Sequence, residues 1–316
     1  MTGGAGFIGA SLVRALEAAG DTVTVLDDGR AAGIAFLRGT AADLVPGDLG
    51  LLAERGELSR LLAGSDAVVH LAARTGVPAS IVDPEADWRD NVVASLALLD
   101  LARRNGVERF VFASSNAAVG AAEGPISEHT VPRPTSPYGA AKLAMEGYLS
   151  AFAASYGMST VAIRFANVYG PYALHKRSVT ASFLLAGLQG RALTVYGDGR
   201  QARDLVHVDD LVGLIRASLD APAQRVAGQI FQGGSGVRTS IGELARMVVD
   251  VLGGDVPVVH EPARAGDVAG AACDVSLAGE LVGYRPQVPL RDGLSSVATW
   301  FREALEDPQL APLAER

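Results

Sequence analysis

Thr2-Gly-Gly-Ala-Gly-Phe-Ile-Gly9, running on into Ala10-Ser-Leu-Val-Arg-Ala-Leu16, is the stretch that decides the architecture. Gly3, Gly6 and Gly9 recur at every third position and lead straight into an amphipathic run. In it, Ile8, Leu12, Val13 and Leu16 share one face at helical spacing. Gly20 closes that run, and TVTVLDD (22–28) follows as an apolar stretch ending in two acids. A glycine triplet alone is compatible with an ordinary turn. In register with a helix, a strand and an acid it describes a turn whose backbone approaches an anion at a helix N-terminus, because glycine removes the blocking side chain. An acid ending the second strand of a parallel α/β sheet takes the hydroxyls of a ribose. Asp27 holds that place and Asp28 stands beside it, so a dinucleotide is expected. A carboxylate there repels a 2′-phosphate, which favours NAD over NADP, with Arg30 the one nearby opposing charge.

No strand precedes this turn. In such a fold the first strand is central, so its loss would leave two neighbours unpaired and the glycine turn unsupported. This leads to the expectation of a hydrophobic strand encoded upstream, in an Ala-, Gly- and Arg-rich reading frame where a GTG valine codon could be read as a start.

Composition narrows the class. At 316 residues, 49% hydrophobic and 20% charged, the chain holds one large or two modest domains around a substantial core. No apolar run reaches the roughly 18 residues that span a membrane, and the glycine-rich start lacks the basic region of a signal peptide. The expectation is a cytoplasmic protein without a membrane partner. A net charge of −8 argues against a nucleic-acid partner. Cys273 is the sole cysteine, which excludes an intrachain disulfide and argues against a cysteine-based metal site; it reads as a small buried hydrophobe. No metal is expected. Of the 27 basic residues only Lys142 and Lys176 are lysine. Against so strong a bias to arginine, a lysine that persists marks either chance survival or a place that needs a compact ammonium.

Apolar VVHLAA (68–73) and FVFASS (110–115) alternate with helical stretches around 91–105 and 138–156, which predicts a parallel, doubly wound sheet. Ser114 and Ser115 fall at the end of a strand, where ligands bind in such sheets. SPYGAAK then sets Tyr138 and Lys142 four apart on one helical face. A phenol, with a pKa near 10, is a poor base at neutral pH. A neighbouring ammonium, with a positive nicotinamide, is expected to pull that pKa down.

TGGAGFIG, HLAA, the serine 23 residues before the tyrosine, YGAAK, RFANVYGP and RDLVHVDD together resemble the extended short-chain dehydrogenase/reductases, and within them a nucleotide-sugar epimerase of the UDP-sugar 4-epimerase type. The resemblance runs from Thr2 to about Phe301. It implies an α/β, Rossmann-type doubly wound sheet with a smaller C-terminal α/β substrate lobe. Residues 1–166 would bind NAD and 167–316 the nucleotide sugar, with the chain near 204–230 returning to the larger part. Ser115 matches the catalytic Ser/Thr, Tyr138 the base and Lys142 its modulator. The cofactor positions are Gly3, Gly6, Phe7, Ile8, Gly9, Asp27, Asp28, Asp48, Leu49, Leu71, Ala72, Ala73 and Asn91, with Tyr138 and Lys142. The substrate positions are Ser115, Asn116, Tyr138, Asn167, Lys176, Arg177, Val179, Arg203, Arg264 and Asp267, the two arginines at 203 and 264 clamping the pyrophosphate. Ser80 and His207 read as structural.

Two departures from the family pattern matter. Ala118-Val119-Gly120 lacks the family's common tyrosine before that glycine. Asn116 and Ala117 stand where 4,6-dehydratases carry acids, and elimination without a carboxylic acid lacks its general acid. Epimerisation at carbon 4 is therefore expected over the dehydratase or reductase alternatives, and the intact Ser–Tyr–Lys set argues against a non-catalytic NAD sensor. For the sugar, Lys176 and Arg177 lie in the segment that caps it in relatives. They read as a solvated pair, a diphosphate contact, or a pocket for a hexuronate carboxylate with Arg177 as a bidentate fork. The last favours UDP-glucuronate over UDP-glucose. Helices 91–105 and 138–156 form a two-fold interface in relatives. Their extra apolar residues Leu98, Leu99, Leu149 and Phe152 are taken to predict a homodimer.

Overall fold

The structure is a computed structural model and describes residues 1–30, 34–122, 124–263 and 270–315. Eleven strands occur among these residues: β1 (Thr24–Asp27), β2 (Asp43–Pro46), β3 (Ala67–His70), β4 (Arg109–Ser115), β5 (Ser159–Phe165), β6 (Asn167–Tyr169), β7 (Leu193–Tyr196), β8 (Ala202–His207), β9 (Gln229–Gly233), β10 (Arg238–Ser240) and β11 (Val258–Glu261). β3, β4, β5 and β9 pair in that order, all parallel, and β1 pairs parallel with β2.

The two blocks meet at the place where the sequence left a strand out. Met1 and Thr2 occupy it. Thr2 bridges in parallel to both Leu26 on β1 and His70 on β3. The backbone N–H of Thr2 donates to Val69 (3.0 Å), Leu71 N–H to Thr2 (3.1 Å), Leu26 N–H to Met1 (2.8 Å) and Gly3 N–H to Leu26 (2.9 Å). The expectation of two unpaired neighbours and an unsupported turn is thus corrected. Thr2 links both neighbours through isolated bridges, one on each edge.

The alternation of side chains along the strands builds two cores. Val25, Val69, Val111, Val161 and Ile163 point to one face, with Leu12 and Val13 of the Phe7–Ala18 helix and Leu211, Leu214 and Ile215 of the Val208–Asp220 helix. Leu26, Val68, Phe110, Phe112 and Ala162 point to the other, with Leu98 and Leu99 of the Ala94–Arg104 helix and Met145, Leu149 and Phe152 of the Pro137–Tyr156 helix. Helices on both faces of a parallel sheet make a Rossmann-type, doubly wound α/β fold. The same packing overturns one reason for expecting a dimer: Leu98, Leu99, Leu149 and Phe152 are buried within the protomer.

The C-terminal α/β part uses β6, β8 and β10 as one small sheet, β7 and β11 as another, and the helices Val179–Leu188, Ile241–Leu252 and Leu290–Glu306. Ser240 and Glu243 cap the second of these helices reciprocally, which satisfies two donors that helix formation leaves free. Asp204, on β8, fastens this part together. Its carboxylate accepts from the Ser235 N–H (2.7 Å) and hydroxyl (2.8 Å), the Gly236 N–H (3.0 Å) and the Cys273 N–H (2.8 Å).

Candidate active site

The carboxyl ends of the parallel strands open into a cleft of about 1100 Å³. One end is built of backbone. Gly3 sits at φ +72°, and a Cβ there would lie 2.6 Å from the Ala72 nitrogen; a Cβ on Gly9 would lie 2.3 Å from the Gly3 carbonyl oxygen. Both contacts are far inside van der Waals distance, so strand ends and helix close up only without side chains. The N-terminus of the Phe7–Ala18 helix begins at Gly6 with no side-chain cap, leaving its N–H dipoles for an anion. Asp27 is held by the Ala5 N–H (3.0 Å) and the Gly29 N–H (2.8 Å). Arg30 is committed to two acids, its Nε to Asp28 (2.5 Å) and its Nη2 to Asp48 (2.7 Å). That engagement removes it as a ready partner for a 2′-phosphate. Asp48 also caps the Leu49–Glu54 helix through the Leu51 N–H.

The cleft wall includes Gly3, Gly6, Phe7, Ile8, Gly9, Asp27, Asp28, Asp48, Leu49, Leu71, Ala72 and Ala73, all expected from sequence. Asn91 is not among them. It is buried behind the wall, where its side chain accepts from the Arg74 N–H (2.8 Å) and donates to the Arg74 carbonyl (2.9 Å) and to Asp87 (2.9 Å). It holds the wall up and does not line it.

The other end is built of side chains. Ser136 caps the Pro137–Tyr156 helix by accepting the Gly139 N–H (3.1 Å), and proline at its first position fixes the start. Tyr138 therefore stands in the first turn, where the helix dipole favours negative charge. Its phenol faces the Ser115 hydroxyl at the end of β4 across the cleft wall that both line. One turn on, Lys142 is buried and donates its Nζ to the Ala113 carbonyl (2.8 Å), lying 4.6 Å from the Phe112 ring centre and 5.7 Å from that of Tyr138.

The electrostatics differ from expectation. Tyr138 is pushed up to about 12, because burial outweighs the opposing influence of the Ser115 hydroxyl, and the Asp87 carboxylate adds to the rise. Lys142 is pushed down to about 8 by burial, against the opposing pull of Asp87 and Glu146. The depression of the phenol read from sequence is not present in the protein alone. His70 is held neutral, its pKa pushed down to about 3 by burial and by Lys142, between the hydroxyls of Thr2 (2.6 Å) and Ser95 (2.8 Å).

Of the substrate positions, Ser115, Tyr138 and Lys176 line the cleft. Lys176 is half-buried, which lowers its pKa, whereas Arg177 is exposed and outside the lining. Asn116, Asn167, Val179 and Arg203 also lie off the lining. Asn116 donates to the Cys273 sulfur (3.1 Å), and Asn167 to the Asp204 carbonyl (3.3 Å). Arg264 and Asp267 fall outside the described residues. Cys273 is buried as expected, with burial pushing its thiol up to about 12. Ser80 bonds its own helix and His207 caps the Val208–Asp220 helix, so both do structural work. No group of His, Cys, Asp or Glu among the described residues is arranged to hold a metal. Sequence reading passed over Asp87 and Glu146. The first stands four residues before Asn91 and the second eight after Tyr138, a helical spacing that was the available signal.

The sequence model of the NAD-dependent epimerase/dehydratase family matches residues 1–234. The chain belongs to that family. It is 38% identical to a UDP-glucose 4-epimerase of Mycolicibacterium smegmatis, over 96% of this chain and 97% of the relative. Its fold superposes on the UDP-glucose 4-epimerase of Thermotoga maritima, solved with UDP-glucose, at a TM-score of 0.89 with 33% identity, covering 96% of this chain and 98% of that one. It is also similar to a UDP-glucuronic acid 4-epimerase of Bacillus cereus, solved with UDP-glucuronic acid and NAD, at a TM-score of 0.86 with 27% identity over 96% and 98% of the two chains. The family's cofactor is NAD, and the glycine cradle, the uncapped helix end and Asp27 fit it.

Proposed function

We propose that the protein is an NAD-dependent UDP-sugar 4-epimerase, an isomerase that inverts carbon 4 of the sugar. The observation that carries this reading is the meeting of Ser115, Tyr138 and Lys142 at one end of a cleft whose other end is the glycine cradle. NAD, held by the glycine cradle and Asp27, would supply a reversible hydride acceptor for carbon 4 of the sugar. Tyr138 removes the proton of the 4-hydroxyl, and Ser115, which faces the phenol in the cleft, bridges the two oxygens. The phenol's raised pKa means that this proton leaves only once positive charge gathers beside it. Lys142, 5.7 Å from the ring centre, and the helix N-terminus contribute part of that charge, and a bound nicotinamide would supply the rest. Arg203 and Arg264 are assigned to the diphosphate, so that the ketosugar turns over while its nucleotide stays held. Asn116 and Ala117 offer no acid to expel a hydroxyl, which favours epimerisation over dehydration within this family.

For the sugar, the reading that Lys176 supports is a hexuronate, as in UDP-glucuronate, with UDP-glucose second. A half-buried ammonium in the cleft, with no acid paired to it among the described residues, favours an anionic group on the ligand. Incubation with UDP-glucose and UDP-glucuronate and identification of the products tests both levels. A 4-epimer without net reduced cofactor supports the function. A 4-keto-6-deoxy product or released NADH assigns a dehydratase or reductase, and no product from any UDP-sugar assigns a binding protein. Lys176→Ala is expected to cut the preference for the uronate by roughly ten- to a hundredfold, the value of a charge-assisted hydrogen bond. Equal loss on both sugars assigns the lysine to the diphosphate.

A homodimer is proposed on a different footing from the sequence argument. Trp88 (52% exposed) and Tyr148 (39%) lie in solvent on the helical layer that includes Ala94–Arg104 and Pro137–Tyr156, outside the cleft lining. Light scattering at micromolar concentration is expected to give twice the chain mass, and a monomer rejects the proposal.

A further inference from the structure

The Pro137–Tyr156 helix meets β4 through three of its turns. Tyr138, Lys142 and Glu146 recur every fourth residue on the stripe that faces the sheet; the first faces Ser115, and the other two bond to the Ala113 carbonyl and the Ser114 hydroxyl. The first two contacts hold the helix weakly. The phenol is not fixed by a hydrogen bond to the strand, and a long ammonium side chain follows a displaced carbonyl. The third is different in kind. Glu146 accepts the Ser114 hydroxyl at 2.5 Å and, from Arg164 on β5, Nε at 2.9 Å and Nη2 at 2.8 Å. Ser114 and Arg164 are register partners on adjacent strands, so one carboxylate joins the helix to both. Both charged side chains are almost wholly buried, and neither lines the cleft.

Burying such a pair is a poor way to gain stability, since an apolar pair of the same volume is often as stable or more so. Its bidentate geometry fixes direction, which apolar packing does not. We propose that Glu146 and Arg164, acting through Ser114, are positioning residues that lock the register of the helix against β4 and so place Lys142 and Tyr138 opposite Ser115. This rests on the reading of those three residues as the proton-transfer set. A displacement of about 1 Å between such groups costs on the order of a hundredfold in rate.

The test removes the lock without stranding a charge, in Glu146→Gln/Arg164→Met. Lys142 and Lys176 are the only lysines, so lysine-specific isotope labelling gives two NMR signals, assigned with Lys176→Arg. Lys142 lies over the Phe112 ring, and its ring-shifted signal reports its place without reference to turnover. The expected result is a folded variant whose Lys142 signal moves toward that of a free lysine. Its kcat falls about tenfold or more, while KM and NAD affinity stay within about twofold. A folded variant with an unmoved Lys142 signal, or with unchanged kcat, overturns the proposal. Should the wild type turn over no UDP-sugar, the functional reading fails while the Lys142 signal still decides the positional one. If the double variant does not fold, Ser114→Ala serves. It leaves the ion pair whole and cuts only the tie to β4. It is expected to move the same signal and lower kcat about three- to tenfold; no change in either overturns the proposal.

Discussion

The two ends of the cleft are made of different material. At the cofactor end the working parts are backbone: Gly3 and Gly9 close to distances no Cβ permits, and the helix N-terminus stands open. At the reacting end they are buried side chains whose charge is out of balance with their surroundings, a phenol near 12 beside an ammonium near 8. Backbone recognition works as soon as the chain is folded. On the proposed mechanism the side-chain end needs positive charge beyond that of Lys142 before its base acts, which would tie proton removal to the bound cofactor.

The sharpest way to separate the ends is Tyr138→Phe. The expected loss in kcat is a hundredfold or more, the usual worth of a general base, with NAD titration unchanged because the ring still packs. Retention of more than about a tenth of the rate would contradict the assignment. Gly9→Ala should do the opposite. Its Cβ meets the Gly3 carbonyl and Gly4 Cα, backbone atoms that cannot step aside, and overpacking of this kind costs about 1–3 kcal/mol. NAD affinity should then fall about tenfold or more with a drop of several degrees in Tm, and wild-type NAD binding in this variant would show that the cradle is not the cofactor seat.

A smaller effect comes from pH. Lys142 has its pKa lowered by burial from 10.5 to about 8, so its ammonium is lost as pH rises through 8. Activity of the free enzyme, read as kcat/KM, should decline above that point. Stability should move the other way. The unfolded chain holds the Lys142 proton up to about 10.5, so between 8 and 10.5 it binds more protons than the folded one, and this group's contribution to stability rises with pH. Denaturant midpoints for the wild type and Lys142→Met across that window check the sign, since the variant lacks the term.

What was legible from sequence follows the same division. Glycine spacing, the acid ending β1 and the apolar runs of β3 and β4 are local, and they led directly to a doubly wound sheet and to the glycines and Asp27 of the cofactor wall; the rest of that wall came from the resemblance to the family. Electrostatics at the reacting end was not legible, because the burial that raises Tyr138 comes from elements far along the chain. Asn91 shows the limit for motifs: its type was informative, yet whether it lines a wall or props it depends on Asp87 and Arg74. Leu98, Leu99, Leu149 and Phe152 show the limit for periodicity, which identifies an apolar face without telling whether the partner is the protein's own sheet or a second chain. The bridging of Thr2 to both β1 and β3 could not be foreseen by pattern, since a single residue carries no periodicity.

Asp204 has a consequence for how the C-terminal part comes apart. Its carboxylate gathers β8, residues 235–236 and Cys273, stretches separated by about thirty to seventy positions in the chain. Releasing any one of them strands buried acceptor capacity that the other two cannot use. Fluctuational opening of these segments is therefore concerted, and slow-exchanging amides at Ser235, Gly236 and Cys273 should share a single opening free energy and lose their protection together.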